Sequence, residues 1–220
     1  MNETITACRL CPRLVAWREE VARTRRRAYR DQVYWGKPIT GFGDRTGRVL
    51  VVGLAPGAHG ANRTGRIFTG DGSGEFLFGA LHRAGFANQP ESIRREDGLA
   101  LHDLYISAVC RCAPPENKPA RQEIASCLPY LWQEIELLAN VQVTVALGRI
   151  AFDNTLSLYR QHGCRPARPL EFGHLATYPP EGGLPWIVAS YHPSRQNTQT
   201  GRLTEAMFDG VWEKVKELLK

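Results

Sequence analysis

The sequence lacks the features that mark a membrane-bound or exported protein. No apolar run within its 220 residues reaches the roughly 18 residues that a transmembrane helix needs. Residues 1–6 lack the basic and apolar regions of a signal peptide. We therefore expect a cytoplasmic protein, associated with the nucleoid if it binds DNA, with no membrane partner. Nothing in the chain indicates an oligomer, so we expect a monomer.

The sequence also lacks the common phosphate-binding motifs and has few lysines. The glycine-rich segment that begins at Gly53 contains neither Gly-x-Gly-x-x-Gly nor a closing Gly-Lys-Ser/Thr, which disfavours a phosphate-binding α/β enzyme. Arginine supplies most of the formal net charge of +6, since lysine occurs only at positions 37, 118, 214, 216 and 220. Arginine binds phosphate through two parallel hydrogen bonds, which lysine cannot do. The charge therefore fits nucleic-acid binding, and it also fits a solvated surface in an arginine-rich protein.

Short apolar runs alternate with helical patterns along the chain. The apolar runs predict buried strands at residues 48–54, 104–109, 141–147 and 186–191. Helices are predicted at residues 9–30, 74–83, 119–139, 149–160 and 204–219. Such alternation is typical of a parallel sheet covered by helices on both faces. We expect one three-layer α/β/α domain over residues 1–220, with a central parallel sheet of roughly four strands and a short edge strand within residues 161–185.

Ligands bind beyond the carboxyl ends of the strands in such sheets, and two polar loops follow predicted strands there. The first loop, residues 53–71, combines many glycines with His59, Asn62, Arg63, Arg66, Phe68 and Asp71. Glycine lets the backbone approach a ligand closely. Asp71 is predicted to cap the helix that follows it, to take part in catalysis, or to do both.

The second loop, residues 192–202, contains no Val, Leu or Ile and therefore has no core to fill. It begins at His192, directly after a predicted strand. A lone histidine is more often structural, but this position favours a functional role. Arg195, Gln196 and Arg202 suit contact with phosphate or insertion into a duplex.

Six cysteines occur at positions 8, 11, 110, 112, 127 and 164. A disulfide framework is not expected without a secretion signal. Cys8-x2-Cys11 is one half of a four-thiolate site, and Cys112 with Cys127 could be the other half, although Cys110 competes with Cys112. Four thiolates suit zinc or an iron–sulfur cluster, and the long gap between the halves favours a cluster. The alternative is a set of buried, reduced cysteines.

These motifs jointly resemble the uracil-DNA glycosylase superfamily and, within it, the iron–sulfur type 5 group. The similarity covers nearly the whole chain. It is carried by Cys8-Arg-Leu-Cys11-Pro-Arg-Leu, Gly53-Leu-Ala-Pro-Gly-Ala-His-Gly, Arg63-Thr-Gly-Arg-Ile-Phe-Thr-Gly-Asp71, Cys112-Ala-Pro-Pro-Glu-Asn-Lys-Pro119 and His192-Pro-Ser-Arg-Gln-Asn-Thr-Gln-Thr-Gly201. The resemblance implies the superfamily's α/β fold and a DNA partner.

The resemblance also implies a structural [4Fe–4S] cluster. Its third ligand precedes x-Pro-Pro-x-Asn in this pattern, which selects Cys112 over Cys110. The implied ligands are Cys8, Cys11, Cys112 and Cys127. The cluster would tie the N-terminal segment to residues 112–127.

The same resemblance assigns roles to the two loops. Type 4 relatives carry an acidic residue where this chain has Leu54, so the task of orienting water passes to Asp71, which would also stabilise the sugar cation. His192 would donate a hydrogen bond to the base oxygen that gains negative charge. Phe68 would stack on the base, and Asn117 and Asn197 would bind its edge. The implied catalytic residues are Asp71, His192 and Asn117, the substrate-binding residues are Phe68, Asn197, His59, Gly53 and Ala55, and the DNA-binding residues are Arg63, Arg66, Ser194, Arg195, Gln196 and Arg202.

The implied activity is hydrolysis of the N-glycosidic bond of uracil and other damaged bases after they are flipped out of DNA. Neither loop places a lysine for Schiff-base chemistry, which indicates a monofunctional enzyme that leaves an abasic site. Leu54 and Ala55 make the pocket less polar, so tolerance of hypoxanthine and ethenocytosine is expected. The alternatives are a type 4-like enzyme restricted to uracil and a non-enzymatic, metal-containing DNA-binding module.

Overall fold

The computed structural model describes residues 1–220, which fold around a sheet of six strands. In chain order the strands are β1 (Phe42–Gly43), β2 (Val49–Gly53), β3 (Leu104–Ala108), β4 (Val143–Leu147), β5 (Thr177–Tyr178) and β6 (Trp186–Ser190). Their order across the sheet is β1-β3-β2-β4-β6-β5. The four central strands are parallel, and the edge strands β1 and β5 are antiparallel to their neighbours.

Eight helices surround this sheet. They are α1 (Asn2–Thr6), α2 (Pro12–Thr24), α3 (Ala61–Thr64), α4 (Gly72–Ala84), α5 (Arg121–Leu137), α6 (Arg149–Gln161), α7 (Arg195–Gln199) and α8 (Glu205–Leu218). Two short 3-10 turns occur at Arg27–Tyr29 and Pro115–Asn117. None of the helices combines the length and the apolar character that crossing a bilayer requires.

Alternate residues of the central strands pack on opposite faces of the sheet. Val49 and Val51 of β2 join the core that contains buried residues of α4 and α8. Leu50 and Val52 join the opposite core, which contains buried residues of α5 and α6. Because both faces are covered, the strands are continuous apolar runs. The predicted α/β/α arrangement is confirmed.

The structure refines several predicted boundaries. The parallel sheet of roughly four strands is confirmed for the central strands, and the edge strand predicted within residues 161–185 is confirmed as β5. The structure adds a second edge strand, β1. The helix predicted over residues 9–30 is too long. It begins at Pro12, whose fixed φ suits a first helical turn, and it ends before Arg25, which adopts a φ of 54°. The loop after β2 contains the short helix α3.

A buried ion pair joins the sheet to α5. Arg111, just after β3, donates to Glu134 of α5 at 2.6 Å, and both side chains are at most 2% exposed. Glu134 also accepts hydrogen bonds from the hydroxyls of Ser107 and Tyr105 and from the backbone N–H of Gly41. Removing one member of such a pair leaves a buried charge without compensation.

We predict that Glu134→Gln destabilises the fold by about 3 kcal/mol, because the Arg111 charge remains buried without its counter-ion. Denaturant unfolding measures this change. Glu217→Gln is the matched control, since its partner Lys214 is only half-buried and keeps contact with water. Equal unfolding midpoints for the two variants would contradict the prediction.

Candidate active site

A cavity of about 460 Å³ opens at the carboxyl ends of the parallel strands. Its walls come from the residues that follow β2, β4 and β6 and from one residue of the irregular segment before β5. The lining residues are Leu54, Leu147, Gly148, Arg149, Ile150, Ala151, Phe172, Tyr191, His192, Asn197 and Arg202. This edge of a parallel sheet is where α/β proteins bind ligands.

Asp71 caps the N-terminus of α4. Its Oδ1 accepts hydrogen bonds from the backbone N–H groups of Ser73 at 3.1 Å and Gly74 at 3.0 Å. Burial is the largest influence on this carboxyl and raises its pKa, while the two backbone hydrogen bonds and the charge of Arg195 oppose the shift. The helix-capping role predicted for Asp71 is confirmed.

The second oxygen of Asp71 accepts no hydrogen bond from the protein and lies against two glycines. A Cβ at Gly60 would lie 1.9 Å from Oδ2, and a Cβ at Gly57 would lie 2.9 Å from it. Both distances are shorter than any normal contact, so this close approach requires glycine. Oδ2 is consequently available for a water molecule or for a positive charge.

Phe68 packs closely against glycine and against His192. It adopts a φ of 50°, which is uncommon for a bulky residue. A Cβ at Gly53 would lie 2.8 Å from its ring, and a Cβ at Gly74 would lie 1.9 Å from its carbonyl oxygen. The Phe68 and His192 ring centroids are 5.9 Å apart at an interplanar angle of 31°. The absence of a side chain at Gly53 therefore leaves space for the Phe68 ring.

His192 lies in the cavity wall with a fixed backbone. Its carbonyl oxygen accepts hydrogen bonds from the side chain of Asn197 and the backbone N–H of Ser194, both at 2.8 Å. Burial lowers the pKa of His192 to about 4, so the imidazole is neutral at physiological pH. A neutral imidazole carries one N–H donor, and no protein group accepts from this ring.

Of the predicted site residues, only His192, Asn197 and Arg202 line this cavity, and Asp71, Phe68 and Gly53 lie outside its lining. Three other predicted residues also lie outside it. His59 pairs its Nδ1 with the hydroxyl of Tyr34 at 3.1 Å, and burial lowers its pKa. Ala55 packs against the core beneath β2. Asn117 is exposed on the turn after β3, with a φ of 57°.

The structure places Arg63 and Arg66, which were predicted to contact DNA, inside the protein. Arg63 donates to the carbonyl oxygens of His59 and Gly70, both at 2.7 Å, and thereby ties together the two ends of the first loop. Arg66 is 4% exposed and forms a buried salt bridge with Asp97 at 2.7 Å. A guanidinium whose donors are satisfied inside the protein is not free to bind phosphate.

The remaining candidates for DNA contact lie on or beside α7. Ser194 caps this helix by accepting a hydrogen bond from the Asn197 N–H. Arg195 is exposed and crosses Gly72, where a Cβ would lie 2.8 Å from its Nε. Gln196 is exposed. Arg202 is exposed and stacks on the Tyr191 ring at 4.9 Å.

Sequence reasoning missed a stack of side chains on the cavity wall. Arg149 lies 5.1 Å over the ring of Phe172, and Phe172 lies 6.1 Å from the ring of Tyr191, which carries Arg202 on its face. Arg149 could have been found, because it lies two residues after the end of a predicted strand. Phe172 carried no such signal, since it lies in an irregular segment far away in the sequence.

Cysteine side chains from three segments lie near one another beside α2. Burial is the largest influence on the pKa of the Cys112 thiol and raises it, Arg18 opposes this shift, and the thiols of Cys127 and Cys8 raise the pKa further. Cys8 and Cys127 also raise the pKa of Cys11, after the larger effect of burial. Interaction between the Cys110 and Cys127 thiols raises the pKa of Cys110 and lowers the pKa of Cys127 to about 7, so both competitors for the third ligand position belong to this group.

Four cysteine side chains can bind a metal group as thiolates. No three of the side chains are arranged as metal ligands here. Arg18 is 2% exposed, and it donates to the Cys112 Sγ at 2.9 Å and to the Cys8 carbonyl oxygen at 3.2 Å. Its Nε is buried without a partner. A buried cation of this kind is balanced if the thiols are deprotonated, as metal ligation requires.

Comparison with known proteins agrees with this geometry. Residues 40–216 match the model of the uracil DNA glycosylase superfamily. A type-5 uracil-DNA glycosylase of Thermus thermophilus is 53% identical over 98% of this chain and 95% of its own length. A type-5 uracil-DNA glycosylase of Mycobacterium leprae is 48% identical over 99% of this chain and 94% of its own. A type-4 uracil-DNA glycosylase of Pyrobaculum aerophilum is 37% identical, but only over 54% of this chain and 53% of its own.

The resemblance inferred from the sequence motifs is confirmed by these matches. The family match covers the whole sheet and both polar loops, including Asp71 and His192. This chain belongs to the uracil-DNA glycosylase superfamily.

Proposed function

We propose that this protein removes uracil and other deaminated or damaged bases from DNA by hydrolysing the N-glycosidic bond. The observation that carries the proposal is the position of Asp71 and His192 in two adjoining loops, which contact each other where Phe68 meets the His192 ring and where Gly72 meets Arg195. Asp71 has one oxygen free of hydrogen bonds, and His192 offers a neutral N–H in the wall of a cavity of about 460 Å³. The relatives named as type-5 uracil-DNA glycosylases support the choice of substrate.

The sugar–base bond cannot be reached inside a stacked duplex, so the damaged nucleotide must rotate out of the helix. The cavity would receive the flipped base. Phe68 offers an aromatic face beside His192 for stacking. Asn197 lines the cavity, although its Nδ2 already donates to the His192 carbonyl, which leaves its side-chain oxygen for the base edge.

The two loops divide the work of bond cleavage. As the bond breaks, positive charge develops on the sugar and negative charge on the base. Asp71 Oδ2 would stabilise the cation and orient the attacking water, and the His192 N–H would donate to the base oxygen that gains charge. Asn117 remains a candidate for contact with the base, since its exposed side chain forms no hydrogen bond within the protein.

No lysine lines the cavity, so the chain offers no amine for a Schiff base there. We infer a monofunctional enzyme that leaves an abasic site. It would act as a monomer in the cytoplasm, at the nucleoid, and would grip the DNA backbone through Ser194, Arg195, Gln196 and Arg202.

We further propose that Cys8, Cys11, Cys112 and Cys127 hold a structural [4Fe–4S] cluster. When bound, the cluster would supply a rigid covalent link between residues 8–11 and residues 112–127. The buried, partly unpaired Arg18 supports an anionic group at this position. The non-enzymatic alternative, a metal-containing module that only binds DNA, gives no reason for an acid in the first loop that keeps one oxygen free of hydrogen bonds.

We predict that Asp71→Asn lowers the single-turnover rate of uracil excision by about 100- to 10,000-fold, because the charge that assists the reaction is lost. Asparagine also caps helices, so α4 and the fold should persist. Gly60→Ala should cause a comparable loss, since its Cβ would displace Oδ2. His192→Ala should lower the rate by about 100- to 1,000-fold.

Gly210→Ala is the matched control for the glycine variant. A Cβ at Gly210 meets nothing within 4 Å, so excision should proceed at the normal rate. Normal turnover by Asp71→Asn or His192→Ala would remove that residue from the mechanism. Reductive trapping of the protein on DNA with borohydride would contradict the monofunctional assignment.

We predict broad base specificity, because the cavity presents Leu54, Leu147 and Ile150 rather than a carboxylate near the end of β2. Excision should be measured on matched duplexes and single strands that contain uracil, hypoxanthine or ethenocytosine. Release of all three bases is expected. Release of uracil alone would instead favour the type 4-like alternative.

We predict that the purified protein is brown and contains about four iron atoms and four sulfides per chain. Cys112→Ser should lose iron, whereas Cys164→Ser should keep it, since Cys164 packs in a separate core with Leu184 and Ile187. Iron loss in Cys110→Ser but not in Cys112→Ser would show that Cys110, and not Cys112, is the third ligand. A colourless protein that contains zinc would refute the proposed iron–sulfur cluster.

A further inference from the structure

Four arginines form an exposed surface just after α2, at positions 25, 26, 27 and 30. We call these residues the basic segment. No acidic residue lies between positions 25 and 30. Arg30 has only a 3.6 Å contact with exposed Asp31, and Arg25 donates to the Arg30 carbonyl oxygen. The side chains of Arg26 and Arg27 have no carboxylate within 4.0 Å and form no hydrogen bond.

The basic segment is attached directly to the first loop of the candidate site. The Arg63 guanidinium lies 4.0 Å over the ring of Tyr29 and donates to Gln32, so this buried side chain joins the segment to Gly70. The Arg26 N–H donates to the Tyr34 hydroxyl, which pairs with His59. The segment is therefore held beside the residues that surround Asp71.

Asp71 lies between this segment and α7. On one side, Gly70 contacts Arg63, which carries Tyr29 of the segment. On the other side, Gly72 contacts the exposed Arg195. Three consecutive residues, 70–72, thus separate two exposed clusters of arginine at the same edge of the sheet.

Like charges held together on a surface repel one another and destabilise the compact state. No acidic side chain of the protein neutralises Arg26 and Arg27, so a partner with regularly spaced negative charge would gain by binding there. The DNA backbone has this pattern, and arginine binds its phosphates in a bidentate manner.

We propose that the basic segment is a second phosphate-binding surface, which grips the DNA backbone on the side of Asp71 opposite Arg195 and Arg202. This inference rests on the proposed action on DNA. Phosphates gripped on both sides of the flipped nucleotide would hold the strand while the base enters the cavity. Arg26 and Arg27 are the principal contacts, because both are exposed and free of partners within the protein.

The test compares two double variants with the same net charge. Arg26→Gln/Arg27→Gln removes the proposed contacts. Arg160→Gln/Arg168→Gln removes two exposed arginines, one at the far end of α6, roughly 14 Å along the helix from the cavity, and one in the segment that follows it. Fluorescence anisotropy measures the affinity of each for an undamaged duplex as the salt concentration rises, with thermal unfolding as the check on folding.

At about 50 mM salt we expect Arg26→Gln/Arg27→Gln to bind at least about tenfold more weakly than the parent protein, with a slope of log affinity against log salt that is shallower by about 2. Arg26→Lys/Arg27→Lys should keep most of the slope, since it keeps the charge. The Arg160/Arg168 control should bind as the parent does.

Equal behaviour of the two glutamine variants would overturn the inference, whether both weaken or neither does. Uracil excision by the parent protein is measured separately. If the parent protein binds DNA but does not excise uracil, the proposed function is refuted. The salt dependence of binding would still test whether the basic segment contacts phosphate.

Discussion

The helix-capping hydrogen bonds of Asp71 are the constraint on which the candidate site depends. They fix Oδ1 at the start of α4 and thereby aim Oδ2 at Gly57 and Gly60. Only a surface without Cβ atoms can lie this close to a carboxylate, so the glycines of the first loop follow from the position of the acid. The same packing removes the carboxyl from solvent, and this burial raises its pKa.

Arginine performs two opposite tasks in this fold. Arg63, Arg66 and Arg111 are buried and act as internal cross-links, each bound to carbonyl oxygens or to a carboxylate. The exposed side chains of Arg26, Arg27, Arg195 and Arg202, by contrast, lack carboxylate partners and remain available to a polyanion. Burying a guanidinium is favourable only when its donors are satisfied, and this requirement separates the two groups. The net charge of the chain therefore does not reveal which arginines are buried and which are exposed.

Helix α2 connects the clustered cysteine side chains to the first loop of the candidate site. Arg13 of α2 binds Glu123 of α5 through two hydrogen bonds, at 2.8 and 2.7 Å, and Arg18 of α2 reaches Cys112. The backbone of residues 35 and 36, beyond α2, pairs with Arg63 and Asn62 of the first loop. A metal group held by these cysteines would consequently stiffen the scaffold behind the glycine-rich loop, at a distance from the reacting bond.

The sequence by itself determined the alternation of strands and helices, the two polar loops, the capping position of Asp71 and the family, because periodicity, capping and motif spacing are local properties of the chain. It did not determine which arginines are buried, that Phe172 joins Arg149 and Tyr191 on the cavity wall, or that His59 and Asn117 lie outside the lining. Those outcomes depend on contacts between residues far apart in the chain, such as Arg66 with Asp97 and Arg63 with Tyr29. Only the packing of the tertiary structure selects these contacts, since each arginine has the same local chemistry before folding.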